Sequence, residues 1–238
     1  MIIFWRLMFG HLLADFTFQT NLINRWKRNS IRGMLVHCAA HPICYAALTY
    51  PYLNDVWVDA PFFPLNGWAC VLVLFAAHFI EDQWRVFNVF KSEASDNTLY
   101  FILDQLIHYF VIFAVIPGSL RGAVVTGLMP EKWPVLGCLF VLVTHASTVF
   151  IYFLEKDFLG AAYPGAREKY LAMGQRLALA LCFLVPGNVW PLLALGWLSI
   201  MHYARKKKYV DSSRLGFYAG GGAAAFCGLS ARLIYYCR

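Results

Sequence analysis

Charged side chains are scarce in this chain: Asp, Glu, Lys and Arg together make up 14% of its 238 residues. A soluble domain usually contains about 25% of these residues. Hydrophobic residues instead account for 60% of the chain and aromatic residues for 17%. This composition excludes an ordinary soluble domain, so we expect one integral membrane domain over residues 1–238.

Paired cysteine motifs are also lacking. The seven cysteines are scattered, mostly in apolar stretches, and no C-x-x-C occurs, which excludes a zinc ribbon or a disulfide framework. The N-terminus lacks the basic region and small-residue cleavage site of a signal peptide, so we expect a retained first span. The net charge of +7 comes from basic residues in short connections between apolar runs, and we therefore expect no nucleic-acid partner.

Apolar runs of about 20 residues, which is long enough to cross a bilayer as a helix, follow one another along the chain. We predict an all-α polytopic transmembrane helical bundle of about eight spans, near residues 2–20, 33–51, 67–86, 98–117, 133–154, 171–186, 188–204 and 215–236. The sixth and seventh runs are short and are separated by the turn-forming sequence PGN, so the count is seven if they do not form a hairpin. Residues 1–117 then form a four-span core and residues 133–236 the C-terminal spans.

The basic residues predict the orientation of these spans, because cytoplasmic loops carry an excess of Lys and Arg. With eight spans and both termini outside, most of the 20 basic residues fall in cytoplasmic loops. If the sixth and seventh runs were one span, the cluster RKKK at residues 205–208 would lie on the opposite side. The charge distribution therefore favours eight spans.

Polar side chains recur at i, i+4 spacing in the first four predicted spans. The pairs are His11 and Asp15, His37 and His41, His78 and Asp82, and Asp104 and His108. Residues four apart share one face of a helix, and all four pairs fall at a similar depth from the predicted cytoplasmic ends. Because each ionisable group at the bilayer centre costs about 2.5 to 3.5 kcal/mol, we expect the pairs to meet in one buried site.

Imidazole nitrogens and carboxylate oxygens are ligands for zinc, manganese or iron, and we expect a divalent metal, zinc or manganese before iron. The candidate ligands are His11, Asp15, His37, His78, Asp82, Asp104 and His108. The candidate catalytic residues are Asp15, Asp82, Asp104, Gln19 and Gln105. We expect Glu81 to lie at the bundle surface or to pair locally, since neighbouring residues lie about 100° apart around a helix. Haem ligation by facing histidines fits poorly because three carboxylates share the layer.

Four basic residues near the predicted inner interface, Arg25, Lys27, Arg85 and Lys91, are candidates for binding an anionic head group. No soluble domain remains to collect soluble substrates. A membrane lipid or a lipid-linked compound is therefore the expected substrate.

Three segments, GHLLADFTFQT, AHFIEDQWR and LDQLIHYF, resemble signatures of a bacterial polytopic membrane family known only as a domain of unknown function. The signatures, H-x3-D-F-x2-Q, H-x3-D and D-Q-x2-H, occur in the same order over residues 9–110. The resemblance implies characteristic polar positions at His11, Asp15, Gln19, His37, His78, Asp82, Asp104, Gln105 and His108, and a multi-pass location in the bacterial inner membrane. Relatives tend to carry an acidic residue where this chain has Gln175, before Arg176.

The family implies no established activity, but a looser likeness to membrane-bound metal-dependent hydrolases with H-x3-D spans suggests a reaction class. Our leading hypothesis is a metal-dependent hydrolase or lipid-processing enzyme that acts near the cytoplasmic leaflet. The alternatives are a proton or divalent-cation transporter and a non-catalytic subunit of a membrane complex. A transporter needs polar groups that reach both faces, whereas the outer ends of these spans are mostly apolar, which favours the enzyme.

Overall fold

The computed structural model describes residues 1–59, 63–91, 96–116, 131–207, 209 and 213–236, without the side chains of residues 90 and 91. The described chain is helical apart from one short pair of strands, which confirms the predicted helical class. It divides into two compact units, Met1–Cys138 and Leu139–Arg238. Residue 117, the predicted end of the four-span core, lies outside the described residues.

The described part of the first unit contains five α-helices and the start of a sixth. They are α1 (Ile2–Leu12), α2 (Asn21–Asn29), α3 (Ile31–Thr49), α4 (Gly67–Lys91), α5 (Thr98–Ala114) and α6 (Lys132–Val141). A π-helical turn, Leu13–Thr17, continues α1. Helix α3 packs against both α1 and α4, and α5 packs against α4 and α1, so these four helices surround a common interior.

Helix α2 corrects the expectation of a loop between the first two spans. Thr20 begins it, since the Oγ1 atom of Thr20 accepts a hydrogen bond from the backbone N–H of Ile23 at 3.3 Å. Ser30 then begins α3 in the same way, with its Oγ atom 3.0 Å from the backbone nitrogen of Gly33. Hydroxyl side chains at this position satisfy N–H groups that have no partner inside the helix, so two separate helices form instead of one.

A small antiparallel sheet connects α3 and α4, and it is the exception to the predicted all-α class. Strand β1 (Val56–Val58) pairs with β2 (Leu65–Asn66), with Val58 opposite Leu65. The Trp57 side chain is 1% exposed and joins an apolar core that includes Leu7 and Tyr45. This core occupies the end of the helix bundle nearest the sheet, and the polar pairs follow it along each helix.

The second unit holds a π-helical turn (Leu142–Ala146) followed by α7 (Ser147–Leu159), α8 (Ala166–Cys182), α9 (Trp190–Lys206) and α10 (Arg214–Tyr236). Helices α8 and α9 correspond to the sixth and seventh apolar runs. They are separate helices that pack together, and the Nε1 atom of Trp197 donates a hydrogen bond to the Gln175 carbonyl at 3.1 Å. Gly187, with φ of +73°, lies in the connection, where a residue without a Cβ adopts this backbone conformation at no steric cost.

Among the described helices, one continuous run of 28 residues, Lys132–Leu159, is long and apolar enough to cross a bilayer. A shorter apolar helix is Thr98–Ala114. A single helix of this kind does not make a multi-pass protein, so the eight-span prediction is not supported by helix length and composition. The first predicted span is divided between α1 and the π-helical turn, and α4 carries several ionisable residues that lower its hydropathy.

Candidate metal centre

The four sequence pairs meet in one buried cluster inside the first unit. Helices α1, α3, α4 and α5 each contribute one pair, and none of these eight residues is more than 7% exposed. The imidazole rings are in contact: the ring centroids of His41 and His78 are 3.6 Å apart, and those of His78 and His108 are 4.2 Å apart. We call these eight residues the polar cluster.

Asp15 lies at the centre of the polar cluster, in the π-helical turn that continues α1. Its Oδ1 atom is 3.3 Å from Nε2 of His37, 3.8 Å from Nε2 of His41 and 3.9 Å from Nε2 of His78. Its Oδ2 atom accepts a hydrogen bond from Nε2 of Gln105 at 3.0 Å. Single π-helical turns occur frequently at functional sites, and here the turn presents one carboxylate to three imidazoles.

The side chains of Asp15, His37, His41 and His78 can hold a metal ion, because each offers a ligand atom within 4.8 Å of the other three. Ligand atoms bound about 2.0 to 2.2 Å from a tetrahedral zinc ion lie about 3.4 Å from one another. The three distances from the Asp15 carboxylate to the imidazoles are close to this value. Two further groups, Cys38 with His78 and Asp82, and Glu81 with Asp82 and His108, meet the same distance criterion.

The environment of His41 is more direct support for a metal ion beside Asp15 than these distances are. Its side chain is 0% exposed, yet neither ring nitrogen has a hydrogen-bond partner among the described residues. Buried polar atoms are nearly always hydrogen-bonded, and an unsatisfied one costs about 1 to 3 kcal/mol. A metal ion between His41 and Asp15 would satisfy the nitrogen, so the residues present fit such an ion. The sequence pattern contains His41, but the predicted set of ligands omits it.

Lys27, one of the predicted head-group residues, reaches the polar cluster from α2. Its Nζ atom is 2.9 Å from Oδ2 of Asp82 and 3.1 Å from Nε2 of His37. Burial alone would lower the pKa of Lys27, but the carboxylates of Asp82 and Asp15 raise it above its ordinary value. The ammonium group therefore remains charged and neutralises part of the cluster.

The other predicted head-group residues divide between the cluster and the surface. Arg85 is held between two carboxylates, with Nη1 at 3.0 Å from Oδ2 of Asp104 and Nη2 at 2.9 Å from Oδ1 of Asp96. The guanidinium group of Arg85 is therefore ion-paired, and its role in head-group binding stays a prediction. Arg25 is exposed on α2, and the side chain of Lys91 lies outside the described residues.

Glu81, expected at the bundle surface or in a local pair, is buried. The residue is 8% exposed, and its Oε2 atom is 3.3 Å from Nε2 of His108. Helix α4 packs against α3 on one side and α5 on the other, so two of its faces are buried. Asp82 points towards α3 and Glu81 towards α5.

Four further predicted residues, His11, Asp104, Gln105 and Gln19, are not among the four central ligand candidates, Asp15, His37, His41 and His78. The Nε2 atom of His11 is 3.3 Å from Oε1 of Gln105, and Oδ2 of Asp104 accepts a hydrogen bond from Gln105 Nε2 at 2.9 Å. Gln105 thus connects two members of the polar cluster with Asp15. Gln19 is partly buried, and its Oε1 atom has no hydrogen-bond partner in the described part of the chain.

Comparison with known proteins gives one result. A family model with the description "Protein of unknown function (DUF3307)" matches residues 3–130, a range that contains the whole polar cluster. No curated protein and no solved structure matches the chain. The match confirms the resemblance noted in the sequence, whereas no likeness to hydrolases is shown.

Proposed function

The chain belongs to the family described as "Protein of unknown function (DUF3307)", and we propose that it is a membrane-embedded, metal-dependent hydrolase of lipid or lipid-linked substrates. The single observation that carries this proposal is the buried group of Asp15, His37, His41 and His78, in which His41 has no hydrogen-bond partner among the described residues.

A location within the membrane is supported by the distribution of polar and apolar side chains. In the first unit the interior holds the polar cluster, while large apolar residues such as Ile43 (68% exposed), Leu72 (66%) and Phe110 (71%) point outward from α3, α4 and α5. The second unit likewise exposes Leu192 (72%) and Phe226 (67%). Soluble monomers rarely expose large contiguous apolar patches, whereas ionisable groups within a membrane protein face the interior of the bundle.

The proposed topology has eight spans across the bacterial inner membrane and both termini outside. The excess of Lys and Arg in the odd-numbered connections supports it, and so does the separation of α8 from α9. The polar cluster then lies nearer to the cytoplasmic leaflet. Reporter fusions placed after Asn29 and after Lys207 test the topology, since both positions are expected to be cytoplasmic.

Within this site Asp15, His37, His41 and His78 would hold the metal, and zinc or manganese suits nitrogen and oxygen ligands of this kind. When bound, such an ion supplies a Lewis acid that activates water and polarises a phosphoryl or acyl oxygen. Glu81 and His108, 3.3 Å apart, form a carboxyl–imidazole pair that can hold a proton and transfer it to a leaving group. Gln105 orients Asp15 through its hydrogen bond to Oδ2.

The proposed substrate class follows from the route by which a substrate can reach the polar cluster. The cluster residues are almost fully buried, and the helices around them present apolar side chains to the outside. A substrate that approaches from the lipid phase would present its polar head to the cluster and leave its chains in the bilayer. Arg25, exposed on α2, is a cation that is available for an anionic head group.

The test is metal analysis by mass spectrometry on detergent-purified protein. We expect about one equivalent of metal in the wild type and a large loss in Asp15→Asn and in His41→Leu. His202→Gln is the matched control, because His202 lies on α9 in the other unit and is exposed. Metal-free wild-type protein, or undiminished metal in both cluster variants, would contradict a metal centre.

Activity is tested on the same preparations with lipid phosphate esters and acyl esters in mixed micelles. The hydrolase proposal requires turnover that is lost in Asp15→Asn and in Glu81→Gln, with metal content retained in Glu81→Gln. A metal-loaded protein that hydrolyses neither ester class would favour the second candidate, transport.

That second candidate is a proton or divalent-cation pathway through the polar cluster. The run of ring contacts from His41 through His78 to His108 favours it, because adjacent imidazoles can relay protons. Proteoliposomes that contain the purified protein distinguish the two candidates. If the protein is a transporter, a pH gradient or a manganese gradient would drive flux across the vesicle membrane, and His78→Gln would abolish this flux. If the protein is a hydrolase, neither gradient would drive flux.

A further inference from the structure

A cavity of about 540 Å³ lies within the second unit, apart from the polar cluster. Its walls come from α7, α8, α9 and α10. One part of the wall is apolar and includes Ile151, Leu179, Trp197 and Phe217, whereas another part carries the cationic side chains of Arg167, Lys169 and Arg176.

Arg176 is a buried cation that has no counter-ion among the described residues. Its side chain is 7% exposed. Its Nε atom donates a hydrogen bond to the Val143 carbonyl at 2.9 Å, and its Nη2 atom donates to the Thr144 carbonyl at 2.9 Å and to Oγ1 of Thr148. All three acceptors are neutral, and no carboxylate of the described residues lies within ion-pair distance of Arg176.

These hydrogen bonds explain one function of Arg176, since the carbonyl oxygens belong to the π-helical turn Leu142–Ala146, where the regular helical bonding pattern is altered. They do not explain why the residue is a cation. Burying an unpaired charge is expensive, and buried charges are usually paired. A guanidinium group that lines a cavity under these conditions is suited to an anionic ligand.

The neighbouring charges support the same conclusion. Arg167 and Lys169, in the first turns of α8, form no ion pair within the part of the chain that the structure describes. The two carboxylates in the wall are already engaged: Glu155 accepts a hydrogen bond from Oγ of Ser213, and Oε2 of Glu168 accepts one from the backbone N–H of Gly165 at 3.0 Å. The cations are therefore the groups available to a ligand.

We infer that this cavity binds an anionic amphiphile whose oxyanion group, a phosphate or a carboxylate, pairs with Arg176 and Lys169. Its apolar chain would lie against Trp197 and Phe217. A lipid and a soluble phosphate share the oxyanion, but only the lipid uses the apolar wall. This site is independent of the polar cluster and of the proposed hydrolase.

Binding is measured by calorimetry on the full chain in a neutral detergent, with three probes. These are dihexanoyl phosphatidic acid, dihexanoyl phosphatidylcholine and inorganic phosphate. We expect saturable binding of phosphatidic acid, with at least about tenfold weaker binding of the other two, which corresponds to about 1.4 kcal/mol. Equal binding of phosphatidylcholine would overturn the role of the charge, and equal binding of inorganic phosphate would overturn the role of the apolar wall.

Variants locate the site. Arg176→Met should weaken binding of phosphatidic acid at least about tenfold, and Arg176→Lys should restore part of the loss. If Arg176→Met does not fold because the π-helical turn needs its hydrogen bonds, the double variant Arg167→Gln with Lys169→Gln gives the same test without that contact. Lys206→Gln is the control, because Lys206 is exposed on α9 and is not part of the cavity wall. Unchanged affinity in the double variant would overturn the inference.

Discussion

The Nζ atom of Lys27 lies 2.9 Å from Oδ2 of Asp82, so an ammonium group stands beside the ligand atoms of the polar cluster. His37, one of the four central ligand candidates, is 3.1 Å from the same nitrogen. A lysine ammonium and a divalent cation both neutralise carboxylates, and they would repel each other in a buried site of low dielectric constant. We therefore expect Lys27 and the metal to compete for the cluster.

Lys27→Met should make the metal-free protein less stable than the metal-free wild type. Metal binding should stabilise this variant more than it stabilises the wild type. Removal of one partner of a buried ion pair typically costs about 3 to 5 kcal/mol, since the carboxylate remains buried without its cation. The measurement is the melting temperature in detergent, with a chelator and then with zinc or manganese. The increase on metal addition should be larger in Lys27→Met than in the wild type.

Arg25→Met is the matched control, because it removes a cation from an exposed position of the same helix, α2. It should behave like the wild type in both conditions. A smaller metal-induced increase in Lys27→Met than in the wild type would mean that Lys27 assists the metal and does not compete with it.

The i, i+4 pairs account for the part of the site that could be predicted from the sequence. On a helix, residues four apart share a face, and the cost of burying ionisable groups in an apolar protein requires those faces to meet. Asp15, His37 and His78 were named for this reason. His41 belonged to one of the pairs, but spacing alone does not distinguish a ligand from a buried hydrogen-bonding histidine.

Lys27 and Glu81 could not be placed from spacing. The position of Lys27 depends on α2 folding back against α3, a tertiary contact that the capping residues Thr20 and Ser30 permit but do not specify. The burial of Glu81 depends on α4 having neighbours on two sides, which a single-helix argument does not include. The strands β1 and β2 were missed because they are three and two residues long.

His41→Leu separates metal binding from packing. In the metal-free protein the change removes two buried nitrogens that lack hydrogen-bond partners in the described chain, so stability should stay the same or rise by about 1 kcal/mol. In the presence of metal, the variant should lose the increase in melting temperature that the wild type shows. A marked loss of stability in the metal-free variant would show that His41 has a structural partner and is not held for a metal.

Gly33→Ala should displace α2 and with it Lys27. A Cβ atom at Gly33 would overlap with the backbone carbonyl group of Trp26, which cannot move aside as a flexible side chain can. We expect a loss of about 1 to 3 kcal/mol, typical of overpacking, and faster hydrogen exchange in α2. Gly196→Ala is the control, since nothing lies within 4 Å of its Cβ position; equal behaviour of the two variants would contradict close packing of α2.

The ion pair between Arg6 and Glu131 should contribute stability that depends on pH. The two side chains form two hydrogen bonds, at 2.8 Å and 2.7 Å, and Arg6 also donates to the Leu48 carbonyl at 2.7 Å. The hydrogen bond from Arg6, together with its positive charge, lowers the pKa of Glu131. A carboxylate with a lowered pKa in the folded state stabilises the protein above its unfolded pKa, about 4.3, and this contribution is lost as the pH falls through the folded pKa.

Glu131→Gln should therefore lower stability at pH 7 by up to about 1 kcal/mol, as expected for a partly exposed pair. The difference from the wild type should shrink below about pH 4, which melting curves from pH 3 to pH 8 would measure. Asp55→Asn is the control, since Asp55 is an exposed carboxylate of the same unit that forms no ion pair among the described residues. A difference between Glu131→Gln and the wild type that is constant across this range would contradict a contribution from the charge of Glu131, because protonation at low pH removes the same charge that the substitution removes.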